Sequence, residues 1–131
     1  MSNAPHDPPT TAEWRILKIV FELGACAARD VTLAAGERFG WSQSTVKTLL
    51  RRLVDKGHLQ TEAVGSSFRY RPSRPIHKAL RESADQLLEQ ATDEAMGPLL
   101  QYLVKQSRLS REDLDALRTL IDSRKPREER R

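Results

Sequence analysis

Residues 41–57 read Trp41-Ser42-Gln43-Ser44-Thr45-Val46-Lys47-Thr48-Leu49-Leu50-Arg51-Arg52-Leu53-Val54-Asp55-Lys56-Gly57, and this stretch decides the fold. Ser42 has the short hydroxyl preferred at a helix N-cap, where it accepts from an otherwise unbonded backbone N–H. Trp41, just before it, is placed as a hydrophobic staple residue. Val46, Leu49, Leu50, Leu53 and Val54 recur at i, i+3, i+4, i+7 and i+8, which lines one side of a helix with apolar groups. Gly57 ends that helix. Ser44, Lys47, Thr48, Arg51 and Asp55 keep the same period on the opposite side, so four of the five offer donors on one surface. Gln43 adds an amide near its start.

Towards the N-terminus, Thr10-Thr11-Ala12-Glu13 has capping-box spacing and predicts a helix through about Leu23. Ile16, Ile19, Val20 and Leu23 share one face, with Trp14, Leu17 and Phe21 on the next. A helix apolar over so much of its girth is a central one. A shorter helix over Ala28–Arg38 buries Val31, Ala34 and Ala35; Ala27 gives it no side-chain cap, and Gly40 closes it.

Beyond Gly57 the period changes to two. Leu59, Thr61 and Ala63, then Phe68 and Tyr70, alternate with polar residues around Val64-Gly65-Ser66-Ser67, the pattern of a β-hairpin. From Ile76 the helical period returns. Ile76, Leu80, Ala84, Leu87, Leu88 and Ala91 form a stripe, Gly97-Pro98 is expected to interrupt, and Leu99, Leu100, Leu103 and Val104 form another. Ser110-Arg111-Glu112-Asp113 repeats the capping box ahead of Leu114, Leu117, Leu120 and Ile121.

Three helices and a hairpin in about sixty residues is the order of a winged helix-turn-helix. The fold class is therefore mainly α with a small β-hairpin wing (α+β). The expected division is a disordered arm at 1–9, the winged helix at 10–74, a helical dimerisation region at 75–124 and a charged tail at 125–131. The C-terminal stripes are too many to bury within so short a segment. Leu80, Leu87, Leu99, Leu100, Leu103, Leu114, Leu117, Leu120 and Ile121 are read as the surface on which two copies interlock into a homodimer.

Composition narrows the function. The 131 residues carry 22 Lys/Arg and 18 Asp/Glu, a net charge of +4, which tilts towards an acidic partner. Ten of the basic residues face seven acidic ones in residues 1–72, against twelve and eleven in 73–131. Lys47, Arg51, Arg52 and Lys56 are opposed locally only by Asp55. Cys26 is the one cysteine, so neither an internal disulfide nor a cysteine-built zinc site is expected. His6, His58 and His77 are scattered, and no nucleophile–base arrangement or phosphate loop occurs; no metal, no cofactor and no enzyme activity are expected. Residues 1–9 lack an apolar signal region and no run approaches a membrane span, so no membrane insertion and a cytoplasmic location are expected.

The polar face of the third helix suits double-stranded DNA. A major groove admits one helix, and Arg, Lys, Gln, Ser and Thr supply the groups that read base edges there. Arg69 and Arg71 alternate along the hairpin, with Ser66 and Ser67 at its tip, as a basic wing. Arg29, early in the second helix, is a phosphate candidate.

These segments together resemble the penicillinase-repressor family (the BlaI/MecI/CopY group). The resemblance rests on Ala12-Glu13-Trp14, on Trp41 through Gly57 with its W-S-x-x-T-(V/I)-(K/R)-T-L core, on Phe68-Arg69-Tyr70-Arg71-Pro72, and on Leu109 through Leu117, covering roughly 10–123. It implies a dimeric transcriptional repressor of a resistance or stress operon, bound to an inverted-repeat operator with TACA/TGTA-like half-sites. By motif match it implies DNA contacts from Ser42, Ser44, Thr45, Lys47, Thr48, Arg51 and Arg69. For the β-lactam branch it also implies a membrane sensor metalloprotease as partner and a proteolytic switch. The switch position aligns with Tyr102-Leu103, where the family's Asn-Phe pair is not kept. The copper branch's C-terminal Cys-x-Cys cluster is absent.

Two other classes fit the same fold. One is a ligand-sensing winged-helix regulator, against which the 5% aromatic content argues. The other is an interaction module that does not bind DNA.

Overall fold

The computed structural model describes residues 7–128. The elements run α1 (Thr11–Leu23), α2 (Ala28–Phe39), α3 (Gln43–Asp55), β1 (Leu59–Val64), β2 (Ser67–Pro72), α4 (Ile76–Gln90), α5 (Asp93–Gln106) and α6 (Arg111–Ser123). They fall into two compact units, one reaching to Glu89 and one from Gln90 onward. The boundary is later than the expected one at residue 74, because α4 is tied to the first unit: Trp14 Nε1 in α1 donates to Ser83 Oγ at 3.1 Å.

In the first unit three helices enclose one core. Ile16, Leu17, Ile19 and Val20 of α1, Val31 and Ala35 of α2, and Val46, Leu49, Leu50 and Leu53 of α3 are buried together with Leu59. The predicted stripes of α1 and α3 are thus the surfaces that pack, except that Leu23, at the last turn of α1, is exposed. Thr10 and Glu13 form the reciprocal capping box at the start of α1. At α2 the Asp30 carboxylate accepts from Ala27 N–H at 3.2 Å, half of a box that needs no cap side chain from Ala27. Gly40 takes the left-handed conformation (φ 69°, ψ 23°) that closes α2 and that a Cβ disfavours.

β1 and β2 pair antiparallel, Leu59 opposite Pro72 through Val64 opposite Ser67. Gly65, at φ 62°, leads the two-residue turn, the glycine placement of a type II′ hairpin. Cys26 forms a bridge to Tyr70, with Cys26 N–H to Tyr70 O at 3.0 Å and Tyr70 N–H to Cys26 O at 2.7 Å. The α1–α2 turn thus joins the hairpin as a short third edge.

The arm expected to be disordered is anchored at its end. Pro9 is buried, and Asp7 O accepts from His58 Nε2 at 2.6 Å. Residues 1–6 of that arm, and 129–131 of the expected tail, lie outside the described residues.

The second unit holds α5 and α6. The break before α5 falls at Ala91-Thr92, where the Thr92 hydroxyl caps the helix from Ala95 N–H. Gly97-Pro98 does not interrupt: Pro98 lies inside α5. Pro98 is the sixth residue of the helix, where it removes the backbone bond to the Glu94 carbonyl, yet the cap at Thr92 starts the helix upstream of it. The Ser110 capping box opens α6. Neither helix has a buried residue.

Candidate nucleic-acid interface

α3 stands on the core by one side and presents the other. Val46, Leu49, Leu50 and Leu53 are buried, while Gln43, Ser44, Lys47, Thr48, Arg51 and Asp55 are exposed. Four aliphatic anchors over two turns leave such a helix little freedom to roll, which a surface read by hydrogen bonds requires. Lys47, Arg51 and Arg52 form no ion pair among the described residues.

The start of α3 is built from hydroxyls. Ser42 Oγ accepts from Thr45 N–H at 3.3 Å, donates to Thr45 Oγ1 at 3.1 Å and lies 3.2 Å from Ser44 Oγ. Thr48 Oγ1 donates to Ser44 O at 2.9 Å. Ser42 and Thr45 therefore shape the helix start as much as they offer contacts. The first turn of α3 carries no acid, whereas α1 has Glu13, α2 has Asp30, α5 has Asp93 and Glu94, and α6 has Glu112 and Asp113. The positive end of the helix dipole meets no carboxylate at α3, nor at α4, and is partnered by acidic side chains at those four.

Pairing across the hairpin sorts its residues by face. Leu59, Thr61 and Ala63 lie with Pro72, Tyr70 and Phe68, and Leu59 is buried. Gln60, Glu62 and Val64 lie with Arg71, Arg69 and Ser67 on the other face, all exposed. Arg69 and Arg71 are thus together, as expected, but Glu62 stands directly across from Arg69 and 3.7 Å from Arg71. The wing is less basic than its arginines alone suggest. Arg29 is exposed in the first turn of α2.

Lys56 leaves the cluster. Its ammonium lies 2.6 Å from Glu13 Oε1 and 3.5 Å from Pro8 O. Burial pushes the Glu13 carboxyl up, but the bond from Lys56 and the Thr10 N–H outweigh it and hold it below the ordinary carboxylate value. A link 43 residues long in sequence leaves no periodic trace, so local charge counting missed it.

Cys26 is buried, and burial, then the Asp30 charge, push its thiol up, which keeps it protonated and unreactive. Among the described residues no group of three or more His, Cys, Asp or Glu is placed to hold a metal, and no helix is long and apolar enough to cross a membrane.

Of the residues expected at a dimer surface, Leu80, Leu87, Leu100, Leu103, Leu114, Leu120 and Ile121 are exposed, and Leu99 and Leu117 are half-buried. Tyr102 and Leu103 lie in the middle of α5, both exposed.

A helix-turn-helix with a basic polar face on its third helix and a hairpin beside it defines a winged-helix regulator. The penicillinase repressor family model matches residues 9–123, and the chain belongs to that family. It is a DNA-binding transcriptional repressor rather than an enzyme. A 16.5 kDa protein in the ptsI 3′ region of Latilactobacillus sakei is 35% identical over 88% of this chain and 79% of its own length. The penicillinase repressor of Bacillus licheniformis is 22% identical over 88% of this chain and 91% of its own. Among solved structures, the Bacillus licheniformis BlaI monomer in complex with the blaP half-operator is 27% identical, covering 57% of this chain and 89% of that one, with a TM-score of 0.48.

Proposed function

We propose that this repressor acts as a cytoplasmic homodimer on an inverted-repeat operator, one α3 from each copy entering a major groove. The observation that carries the reading is the division of α3: an apolar side wholly sunk in the core and an opposite side of Gln43, Ser44, Lys47, Thr48 and Arg51 open to a partner. Ser44 and Thr48 allow close approach, Lys47 and Arg51 reach guanine edges or flanking phosphates, and Arg29 and Arg69 meet the backbone on either side. Ser42 caps the helix start through Thr45 N–H and, with Thr45, presents hydroxyls there. Two-fold symmetry would set the two helices about 34 Å apart, one turn of DNA, to match an inverted repeat with TACA/TGTA-like half-sites.

The dimer reading is supported by the apolar stripes of α5 and α6, which a single chain leaves in water. The operon is read as one for resistance or stress; the family's proteolytic switch aligns with Tyr102-Leu103, which does not keep the Asn-Phe pair cut there. That bond sits within regular helix, so cleavage there would first require α5 to open locally.

A gel shift on the DNA upstream of the gene tests the interface. Lys47→Ala and Arg51→Ala should each weaken binding about tenfold while leaving thermal stability unchanged. Unaltered affinity in both variants removes α3 as the reading helix.

A further inference from the structure

α4 is joined to the winged helix by little apolar packing; Ala79 is its one buried side chain among the described residues. Polar ties supply the rest. Arg74, in the short link after β2, forks onto the Glu82 carboxylate: Nη1 donates to Oε2 at 3.0 Å and Nη2 to Oε1. Trp14 Nε1, from the central helix α1, donates to Ser83 Oγ at 3.1 Å. The link is itself pinned by Ser73 N–H to His58 O at 3.0 Å.

Ala79, Glu82 and Ser83 stand at i, i+3 and i+4, so all three attachments fall on one stripe of α4. Leu80, Leu87 and Leu88 occupy the neighbouring stripe and are exposed. The two ties reach adjacent residues of α4 from two different elements. A planar guanidinium held at both nitrogens restrains rotation as well as distance, which a single lysine contact would not. The Glu82 carboxylate also pushes the Arg74 guanidinium above its usual range, as a well-formed pair should.

We propose that the Arg74–Glu82 and Trp14–Ser83 ties are a positioning clamp that fixes the direction in which α4 leaves the winged helix and so sets the half-site spacing the repressor accepts. This inference rests on the reading of a dimer on an inverted repeat. α4 presents its leucine stripe to the second copy, so its angle is passed to the second α3. At 1.5 Å per residue a helix of this length spans about 22 Å, and a tilt of roughly 10° displaces its far end by about 4 Å, close to one base-pair step. Two bonds on a lightly packed helix thus decide between adjacent registers on DNA.

The test uses the full chain with Arg74→Ala and Ser83→Ala together, leaving Trp14 in place. Sedimentation gives the assembly state. Fluorescence anisotropy is read on a single half-site and on inverted repeats whose centre is lengthened or shortened by one or two base pairs. The variant should keep dimer mass and half-site affinity within about twofold. The wild-type penalty for a two-base-pair change, about tenfold or more, should shrink below about threefold. Arg74→Glu alone should relax spacing likewise, and adding Glu82→Arg should restore it, which a mere loss of packing would not.

A double variant as selective as the wild type, or monomeric, overturns the clamp. If that variant does not fold, the charge pair decides: a relaxed single and a restored swap support the clamp, and any other pattern overturns it. A wild type that binds half-site and inverted repeat equally sinks the dimeric reading and the clamp with it. A sharp wild-type profile with unchanged variants sinks the clamp alone.

Discussion

The two units use the same sequence grammar and arrive at opposite surfaces. In α3 the stripe Val46, Leu49, Leu50, Leu53 is sealed against α1 and α2. In α6 the stripe Leu114, Leu117, Leu120, Ile121 has the same period, yet Leu120 is 57% and Ile121 68% exposed. α5 behaves alike, with Leu100 at 53%. Amphipathic spacing says that a face must be covered and does not say by which chain. The three-helix core of the first unit covers its own stripes, while those of α4, α5 and α6 stay exposed in a single chain; covering such area gains about 25 cal/mol per Å².

The contrast can be broken most severely inside the first unit. Leu50→Ala opens a cavity among fully buried neighbours and should lower stability by about 3 kcal/mol, seen as an earlier urea midpoint at every protein concentration. Ile121→Asp should act on association instead. We expect the dimer dissociation constant to rise about a hundredfold, near 2.7 kcal/mol, with the transition of the first unit unmoved. An equal loss of stability in both variants would erase the distinction between the units.

Glu13 is a buried charge in the core of the first unit. Glu13→Gln leaves Lys56 without its carboxylate and should cost about 2 kcal/mol in denaturant unfolding. The native carboxyl lies below its unfolded value, so its contribution is complete above pH 4.5 and is lost as pH falls through the lower folded value. Stability measured at falling pH should therefore decline in the wild type and be flatter in Glu13→Gln. The smallest effect belongs to the surface. Arg38→Ala breaks the 2.7 Å pair with Glu22, both about two-fifths exposed, and should lower stability in urea unfolding by under about 0.5 kcal/mol.

Much of this was legible because it is local. Caps at Thr10, Ser42 and Ser110, glycines at 40 and 65, and the change of period at Leu59 each act within a few residues, and the elements follow them closely. The exposed face of α3 was equally legible, as the complement of its buried side. What escaped is long-range. The Lys56–Glu13 pair, the docking of Asp7–Pro9 beside His58, the Cys26–Tyr70 bridge and the Ala79–Glu82–Ser83 face of α4 join elements whose approach no window of sequence encodes. At Pro98 two local signals competed, and a residue-type rule lost to a well-formed cap six residues earlier.

The Glu13–Lys56 pair also bears on how binding responds to electrolytes. A cation that meets DNA phosphate lets a condensed counterion escape, and the number released sets how steeply affinity falls with salt. Lys56 already holds its anion within the fold, so it has nothing to exchange. Of the four cations in that seventeen-residue stretch, only Lys47, Arg51 and Arg52 should count in a salt titration, beside Arg29 and Arg69, and the slope should be shallower by about one ion than the sequence alone suggests.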